Sequence, residues 1–309
     1  MTQQSDPVIL QQYKTLEARF DRAAQMYDAT YGPSQATGQG SPLLGWLRER
    51  HLAVLRDLFP AGAAVLDIGS GTGEEALALA GDGYSVLGID ISPAMVRQAQ
   101  TKAAVHGLQR RASFRALPAG RLALLDERGP FGGAYASLGT LNTEPDLPRF
   151  AEGLHHLLVN GAPFVAMVMS RHCAFEILRN LRRRKPEETL KRSDDWQETW
   201  AGSGGVTAPV RFYTPRTFAQ PFKPYFKVES VQAFPLWLPP VYLHDLYRQD
   251  AARFQRWEAL DRRMCRWPGF RAWGDHFLMV MRHTGQPESQ TVEAEPGDVV
   301  PTAEKVENH

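Results

Sequence analysis

The chain has 309 residues, 43% of them apolar, with 35 Lys plus Arg against 34 Asp plus Glu, a net charge of +1. That length fits one enlarged α/β domain, and the near-zero charge gives no overall signal for nucleic acid or an anionic membrane surface. Only Cys173 and Cys265 are present, too few for a disulfide framework or a cysteine zinc site.

Residues 1–7 lack the basic and apolar regions of a signal peptide, and the apolar stretch 157–169 is broken by Asn160, Gly161 and Pro163, so no membrane span and a cytoplasmic location are expected. From Ile9 to Tyr31 apolar residues recur every three to four positions, predicting an amphipathic helix stopped by Gly32-Pro33. Ser41-Pro42 opens a second predicted helix reaching about Phe59. The period then changes. Ala64 to Ile68 and Tyr84 to Ile89 read as buried strands, each followed by a helix, at Glu74 to Ala80 and from Ser92-Pro93 to Val105. Such βα repetition predicts a doubly wound, Rossmann-like, mostly parallel sheet with helices on both faces. Further strands are expected at 112–115, 133–138, 163–169, 227–234 and 276–282, which makes seven, with a helix over 146–158.

Two long insertions are expected to cover one edge of this sheet. The first, 171–209, contains Arg182-Arg183-Arg184-Lys185, and residues 171–192 hold eight basic against three acidic residues, most simply a solvated helix face. The second begins with Phe234-Pro235-Leu236-Trp237-Leu238-Pro239-Pro240 and continues as a predicted helix over 241–266. The chain accordingly divides into an N-terminal helical lid (1–60), a core (61–170), a basic insert with its connection (171–226), the last two strands with a helical insert (227–283), and an acidic tail (284–309) that is expected to be disordered.

The chemistry concentrates in Val65-Leu66-Asp67-Ile68-Gly69-Ser70-Gly71-Thr72-Gly73 and in Asp90, which closes the next strand. Glycines between a strand and a helix let the backbone turn sharply and approach a ligand, and an acid at the next strand end can accept from both ribose hydroxyls. Gly71-x-Gly73-x-x-Ala76 also satisfies a loose dinucleotide pattern. Asp67 argues against a pyrophosphate there and suits an ammonium group, so a ligand with a ribose and an amino-acid moiety, S-adenosylmethionine, is expected.

Leu66-Asp67-Ile68-Gly69-Ser70-Gly71-Thr72-Gly73 and Gly88-Ile89-Asp90-Ile91-Ser92-Pro93-Ala94-Met95 resemble the first two motifs of class I S-adenosylmethionine-dependent methyltransferases. Phe20-Asp21, Tyr27-Asp28 and the run from Leu157 to Val165 resemble the ubiquinone, menaquinone and glycine N-methyltransferase-like subgroup. The resemblance implies that Asp67 and the loop with Gly69, Ser70, Gly71 and Gly73 hold the methionine part, that Asp90 holds the ribose, and that Ile91 and Leu117 flank adenine. Tyr27 and Ser137 complete the expected cofactor set, with S-adenosylhomocysteine as product and no metal. This sequence departs from the pattern at Ala116, Gly132 and Ala162.

His172, after the fifth strand, is the expected general base, and Tyr31, Asn142, Arg171, Trp237, Tyr242 and His244 are the expected acceptor-binding residues. Asp275-His276 reads as a turn stabiliser, and His155-His156 lacks the neighbours of a metal site. The expected activity is methyl transfer, an EC 2.1.1 type reaction, to a small hydrophobic or aromatic acceptor, with O-methylation favoured over C or N, by a monomer or homodimer that binds no nucleic acid. The alternatives are a catalytically silent binding or partner subunit, favoured by the three departures, and, third, an NAD(P)-dependent enzyme.

Overall fold

The computed structural model describes residues 6–31, 42–126, 129–185, 192, 195–200, 206–243, 246 and 251–285. Nine described strands form two sheets. Strands β1 (Ala64–Ile68), β2 (Ser85–Asp90), β3 (Ala112–Ala116), β4 (Gly133–Ala136), β5 (Pro163–Met169), β8 (Phe226–Phe234) and β9 (His276–His283) make a seven-stranded sheet ordered β3-β2-β1-β4-β5-β9-β8. The first five run parallel, and β9 pairs antiparallel with both β5 and β8. Strand order reverses between β1 and β4, and ligands of open α/β sheets bind outside the carboxyl ends of the strands at such a point.

Helices α1 (Pro7–Tyr31), α2 (Pro42–Leu58), α3 (Glu74–Gly81), α4 (Pro93–Val105), α5 (Leu147–His155), α6 (Ala174–Arg182), α7 (Pro215–Ala219) and α8 (Ala251–Met264) surround the sheet. Its five inner strands, β2, β1, β4, β5 and β9, are buried on both faces, which is why they read as nearly continuous apolar runs, while the edge strands β3 and β8 are partly exposed. One face packs Leu66, Ile68, Phe164 and Phe277 against Phe150 of α5 and Phe218 of α7. The other packs Val65, Tyr135 and Val165 against Leu47 and Leu55 of α2, Leu79 of α3 and Val96 of α4. Ser92 caps α4, its Oγ accepting from Met95 N at 3.1 Å, with Pro93 in the first turn as the sequence indicates.

Three expectations change. The basic insert contains α6 and an antiparallel hairpin of β6 (Gln197–Trp200) and β7 (Thr207–Val210), whose four-residue strands are too short for periodicity to reveal. The helix expected over 241–266 begins as a single 3-10 turn, Val241–Leu243, and its α-helical part is Ala251–Met264. The run 182–184 does close a helix, but Arg192 of the same basic segment is largely withdrawn from solvent, its side chain 10% exposed, because two carboxylates receive it. The tail from residue 286 and His244 lie outside the described residues, as does the Tyr31 side chain. Among the described residues no helix is long and apolar enough to cross a membrane.

His51 of α2 is fully buried beneath the sheet's carboxyl edge, with Nδ1 3.2 Å from Ser137 Oγ, and burial pushes its pKa down to about 4. The unfolded chain therefore binds this proton first as pH falls. His51 contributes stability that is intact above about pH 6.5 and lost between there and about pH 4, roughly 3 kcal/mol in all. Urea unfolding of the protein and of His51→Gln from pH 7 to 4.5 should give curves that converge by that amount toward acid. Parallel curves would contradict the assignment.

Candidate functional site

The glycine loop is shaped by backbone that side chains would forbid. Gly69, Gly71 and Gly73 have φ of +70°, +52° and +85°. A Cβ at Gly69 would collide with the Thr140 side chain, and one at Gly73 would lie 3.0 Å from Ala99 and Phe114, where α4 and β3 press on the loop. Gly69 N and Ser70 N both donate to Ile89 O, at 2.8 and 2.9 Å, tying the loop to β2.

Asp90 is the hub of this region. One carboxylate oxygen accepts from Gly71 N at 2.9 Å and the other from Ser92 N at 2.8 Å, so the acid joins the loop to the start of α4. Burial pushes its pKa up to about 6, against the pull of those two amides. Helix α1 is fastened across the same point. Asp21 accepts from Ser92 Oγ and from Ala94 N (2.9 Å), Asp28 accepts from Thr72 Oγ1 (2.6 Å) and pairs with Lys102 (2.8 Å). The Tyr27 ring thereby comes within 3.7 Å of where a Gly71 Cβ would stand.

Between α1 and the strand ends lies a cavity of about 620 Å³, within the usual ~300–1,000 Å³ of small-molecule sites. Its glycine-loop side is lined by Tyr27, Gly69, Ser70, Gly71, Asp90, Ile91, Met95, Leu117 and Ser137. Arg48 and Glu75, a pair at 3.0 Å that the sequence did not single out, also face it. Ser70 Oγ is buried there with no hydrogen-bond partner among the described residues, a polar atom left for a ligand.

The other side of the cavity is walled by the insertions. Glu176, Arg179 and Asn180 of α6, Gln197 and Thr199 of β6, Ala208 and Val210 of β7, Met169, Phe212, Tyr242, Asp275 and His276 line it. Arg192 organises this wall. Its guanidinium binds Glu176 through two nitrogens (2.7 and 2.9 Å), Asp275 Oδ1 (2.6 Å) and the carbonyl of Ser170 (2.9 Å), and lies over the Phe212 ring. Tyr242 donates to Glu176 Oε1 at 2.6 Å. Asp275 Oδ2 faces His276 Nδ1 at 3.0 Å. Burial works against the Asp275 charge, but His276 and Arg192 outweigh it and hold the carboxyl well below the usual carboxylate range. Cys173, Glu176 and Asp275 offer atoms within 4.8 Å of one another, as a metal site would, yet Arg192 already occupies both carboxylates.

The cavity thus gathers eight of the expected cofactor residues and, of the expected acceptor residues, Tyr242. The others whose side chains are described stand outside its lining. Asp67 is 2% exposed, beneath the loop and beside Tyr135, and burial and Glu75 push its pKa well up. Gly73 turns the chain into α3. Asn142 splices two segments, its amide bonding Met169 N and O and Arg211 O at 2.7–3.1 Å. Arg171 pairs by its backbone N with Tyr213 O. His172 stacks on Trp273 with centroids 5.3 Å apart, and Trp237 packs on Phe270 at 5.6 Å. Sequence position placed these residues after the right strands, but side-chain direction in the following loops is set by packing that no periodicity reports.

The comparisons agree with this architecture. Residues 65–161 match the methyltransferase domain family. No curated protein matches the sequence. Among solved structures, CcbJ methyltransferase of Streptomyces caelestis superposes with a TM-score of 0.52 at 16% identity, covering 85% of this chain and 96% of that one. A phosphoethanolamine N-methyltransferase of Haemonchus contortus gives 0.53 at 14% identity, covering 88% and 60%. The [4+2]-cyclase SpnF gives 0.51 at 15%, covering 77% and 82%, so likeness of fold alone does not fix the reaction.

Gly69→Ala should raise the strain at φ +70° and displace Thr140. A cost of about 1–3 kcal/mol in thermal or urea unfolding is expected, with S-adenosylhomocysteine affinity at least tenfold weaker by calorimetry. Unchanged affinity would show that the loop's shape is not what the ligand reads. Residues 65–161 thus match the methyltransferase domain family, and the chain around them has the seven-stranded α/β fold of the solved methyltransferases on which it superposes.

Proposed function

We propose that the protein transfers a methyl group from S-adenosylmethionine to a small organic acceptor. The observation that carries this reading is the continuity of one cavity from the glycine loop and Asp90 to the insert-built wall of Tyr242, Arg192 and His276. Cofactor and acceptor would then share a chamber from which α1 and the β6–β7 hairpin exclude water.

The residues present fit the cofactor. Asp90 would hold the ribose hydroxyls, Ile91, Met95 and Leu117 would flank adenine, and Ser70 Oγ would meet the amino-acid part, with Arg48 and Glu75 as the charged pair beside it. Asp67 would act through the loop that it underlies. When bound, the cofactor supplies an electrophilic methyl on a sulfonium. The chain's task is to align the acceptor with that methyl and keep water out, the contribution that orientation makes to an in-line displacement. In this reading residues 61–170 bind the cofactor, while 171–226 and 227–283 receive the acceptor. The wall's mixture of Phe212, Met169 and Val241 with Tyr242 and Arg179 suits an aromatic or otherwise apolar acceptor that carries polar substituents. O-methylation is the transfer we favour. No step is routed through His172, whose ring is stacked on Trp273.

Calorimetric titration tests this. S-adenosylmethionine and S-adenosylhomocysteine should bind and NADH should not, and failure of both sulfur ligands would remove the reading. The pH dependence adds a sign. Asp90 accepts hydrogen bonds as a carboxylate, so below its pKa of about 6 binding must first expel a proton. S-adenosylhomocysteine affinity should fall up to about tenfold per pH unit below 6 in the protein and far less in Asp90→Asn, which should bind more weakly at pH 7.5.

A further inference from the structure

We propose that Arg179 is the anion-binding residue of the acceptor site and that the acceptor carries a carboxylate on an apolar body. The inference rests on the methyl-transfer reading and adds to it the charged group by which an acceptor is recognised.

Three arginines line the cavity, Arg48, Arg179 and Arg192. Arg48 pairs with Glu75 at 3.0 Å, and Arg192 pairs with Glu176 and Asp275 at 2.7 and 2.6 Å. Arg179 has no side-chain hydrogen bond or ion pair among the described residues. A guanidinium stays charged and presents its donors in a planar fork, so on a cavity wall it favours an oxygen anion. The wall's own carboxylates do not meet that need. Glu176 stands one turn earlier in α6, but its Oε1 accepts from Arg192 and Tyr242 and its Oε2 from Arg192. Asp275 Oδ1 is likewise on Arg192.

Helix geometry gives Arg179 its direction. The residues of α6 that line the cavity are Glu176, Arg179 and Asn180, spaced i, i+3 and i+4 on one face, while Leu178 and Leu181 of the opposite face are exposed. Tyr242 and Arg192, both lining residues, hold the Glu176 carboxylate and so turn that face to the chamber. The hairpin adds a second polar group by strand alternation. Gln197 and Thr199 of β6 line the cavity, Thr199 paired with the lining residue Ala208 of β7, while Glu198 between them turns outward to Arg19 of α1. The Thr199 hydroxyl, like Arg179, has no hydrogen bond among the described residues.

One unpaired cation answers one negative charge. A carboxylate matches it, whereas a phosphate monoester brings about −1.5 to −2 at pH 7 to a wall that already sets Glu176 and Asp275 against Arg192. A carboxylate held on Arg179 would fix the acceptor's register against the methyl group, the orientation that displacement requires.

The full-length protein saturated with S-adenosylhomocysteine is titrated with 2-naphthoate, with its uncharged isostere 2-naphthamide and with phenyl phosphate. Calorimetry gives the affinities, and the Nε–H signals of ¹⁵N-arginine report the contact, with Arg179→Lys identifying the Arg179 signal. Naphthoate should bind about tenfold or more tightly than naphthamide and shift the Arg179 signal, and Arg179→Gln should remove the preference. Equal affinity for the two naphthalenes, binding of neither, or a carboxylate preference that survives Arg179→Gln overturns the proposal. Tighter binding of phenyl phosphate than of naphthoate overturns the carboxylate assignment. A tenfold or greater loss of S-adenosylhomocysteine affinity in Arg179→Gln also overturns it, because the cofactor's own carboxylate would then be the anion on this residue. Failure of the unaltered protein to bind S-adenosylhomocysteine would instead sink the methyl-transfer reading, and an Arg179-dependent preference for naphthoate measured in its absence would still stand.

Discussion

The Asp90 carboxylate, accepting from Gly71 N and Ser92 N, is the junction on which the site depends. A buried carboxylate costs free energy unless amides compensate it, and here the two amides come from the glycine loop and from the turn before α4. The same few residues take the weight of α1, because Asp21 binds Ser92 Oγ and Ala94 N immediately beyond Asp90. The cover over the cavity and the floor beneath it are therefore fastened at one place. Loosening Asp90 would disturb the glycine loop, the first turn of α4 and the seat of α1 together.

Across the cavity a second buried charge performs a comparable role. Arg192 gathers Glu176 from α6, Asp275 from the start of β9 and the carbonyl that follows β5. Breaking such a network strands its remaining charges in a poorly solvated place, so it specifies one geometry more than it stabilises the fold. What it specifies is a cavity wall assembled from segments far apart in sequence. The parallel strands supply the glycine-loop side of the cavity, and the insertions supply the wall opposite it.

The sequence made the two halves unequally legible. β1, the glycine loop, β2 and Asp90 lie within one stretch, and each leaves a local mark: a strand run, glycines at positive φ, an acid at a strand end. Ser92-Pro93 announced α4 in the same way. Arg192, Glu176 and Asp275 carry no such mark, since nothing in a basic run distinguishes the arginine that turns onto two carboxylates from those that stay exposed. Asp275-His276 was read as a turn just before the last strand, and His172, after the fifth strand, as the base. The register cannot say which ring turns inward. Trp273 stacks on His172, while His276, beside Asp275, lines the cavity. Likewise Asp67, assigned to the ligand by its place in the motif, lies under the loop rather than in the cavity.

The central claim is that one continuous cavity holds the cofactor on Asp90 and presents its sulfur to the Tyr242–His276 wall. A crystal structure of the complex with S-adenosylhomocysteine tests it most directly. The account predicts the ribose hydroxyls on the Asp90 carboxylate, adenine between Ile91 and Leu117, and sulfur open toward Met169 and His276. A ligand bound elsewhere, or one whose sulfur faces away from that wall, would contradict it.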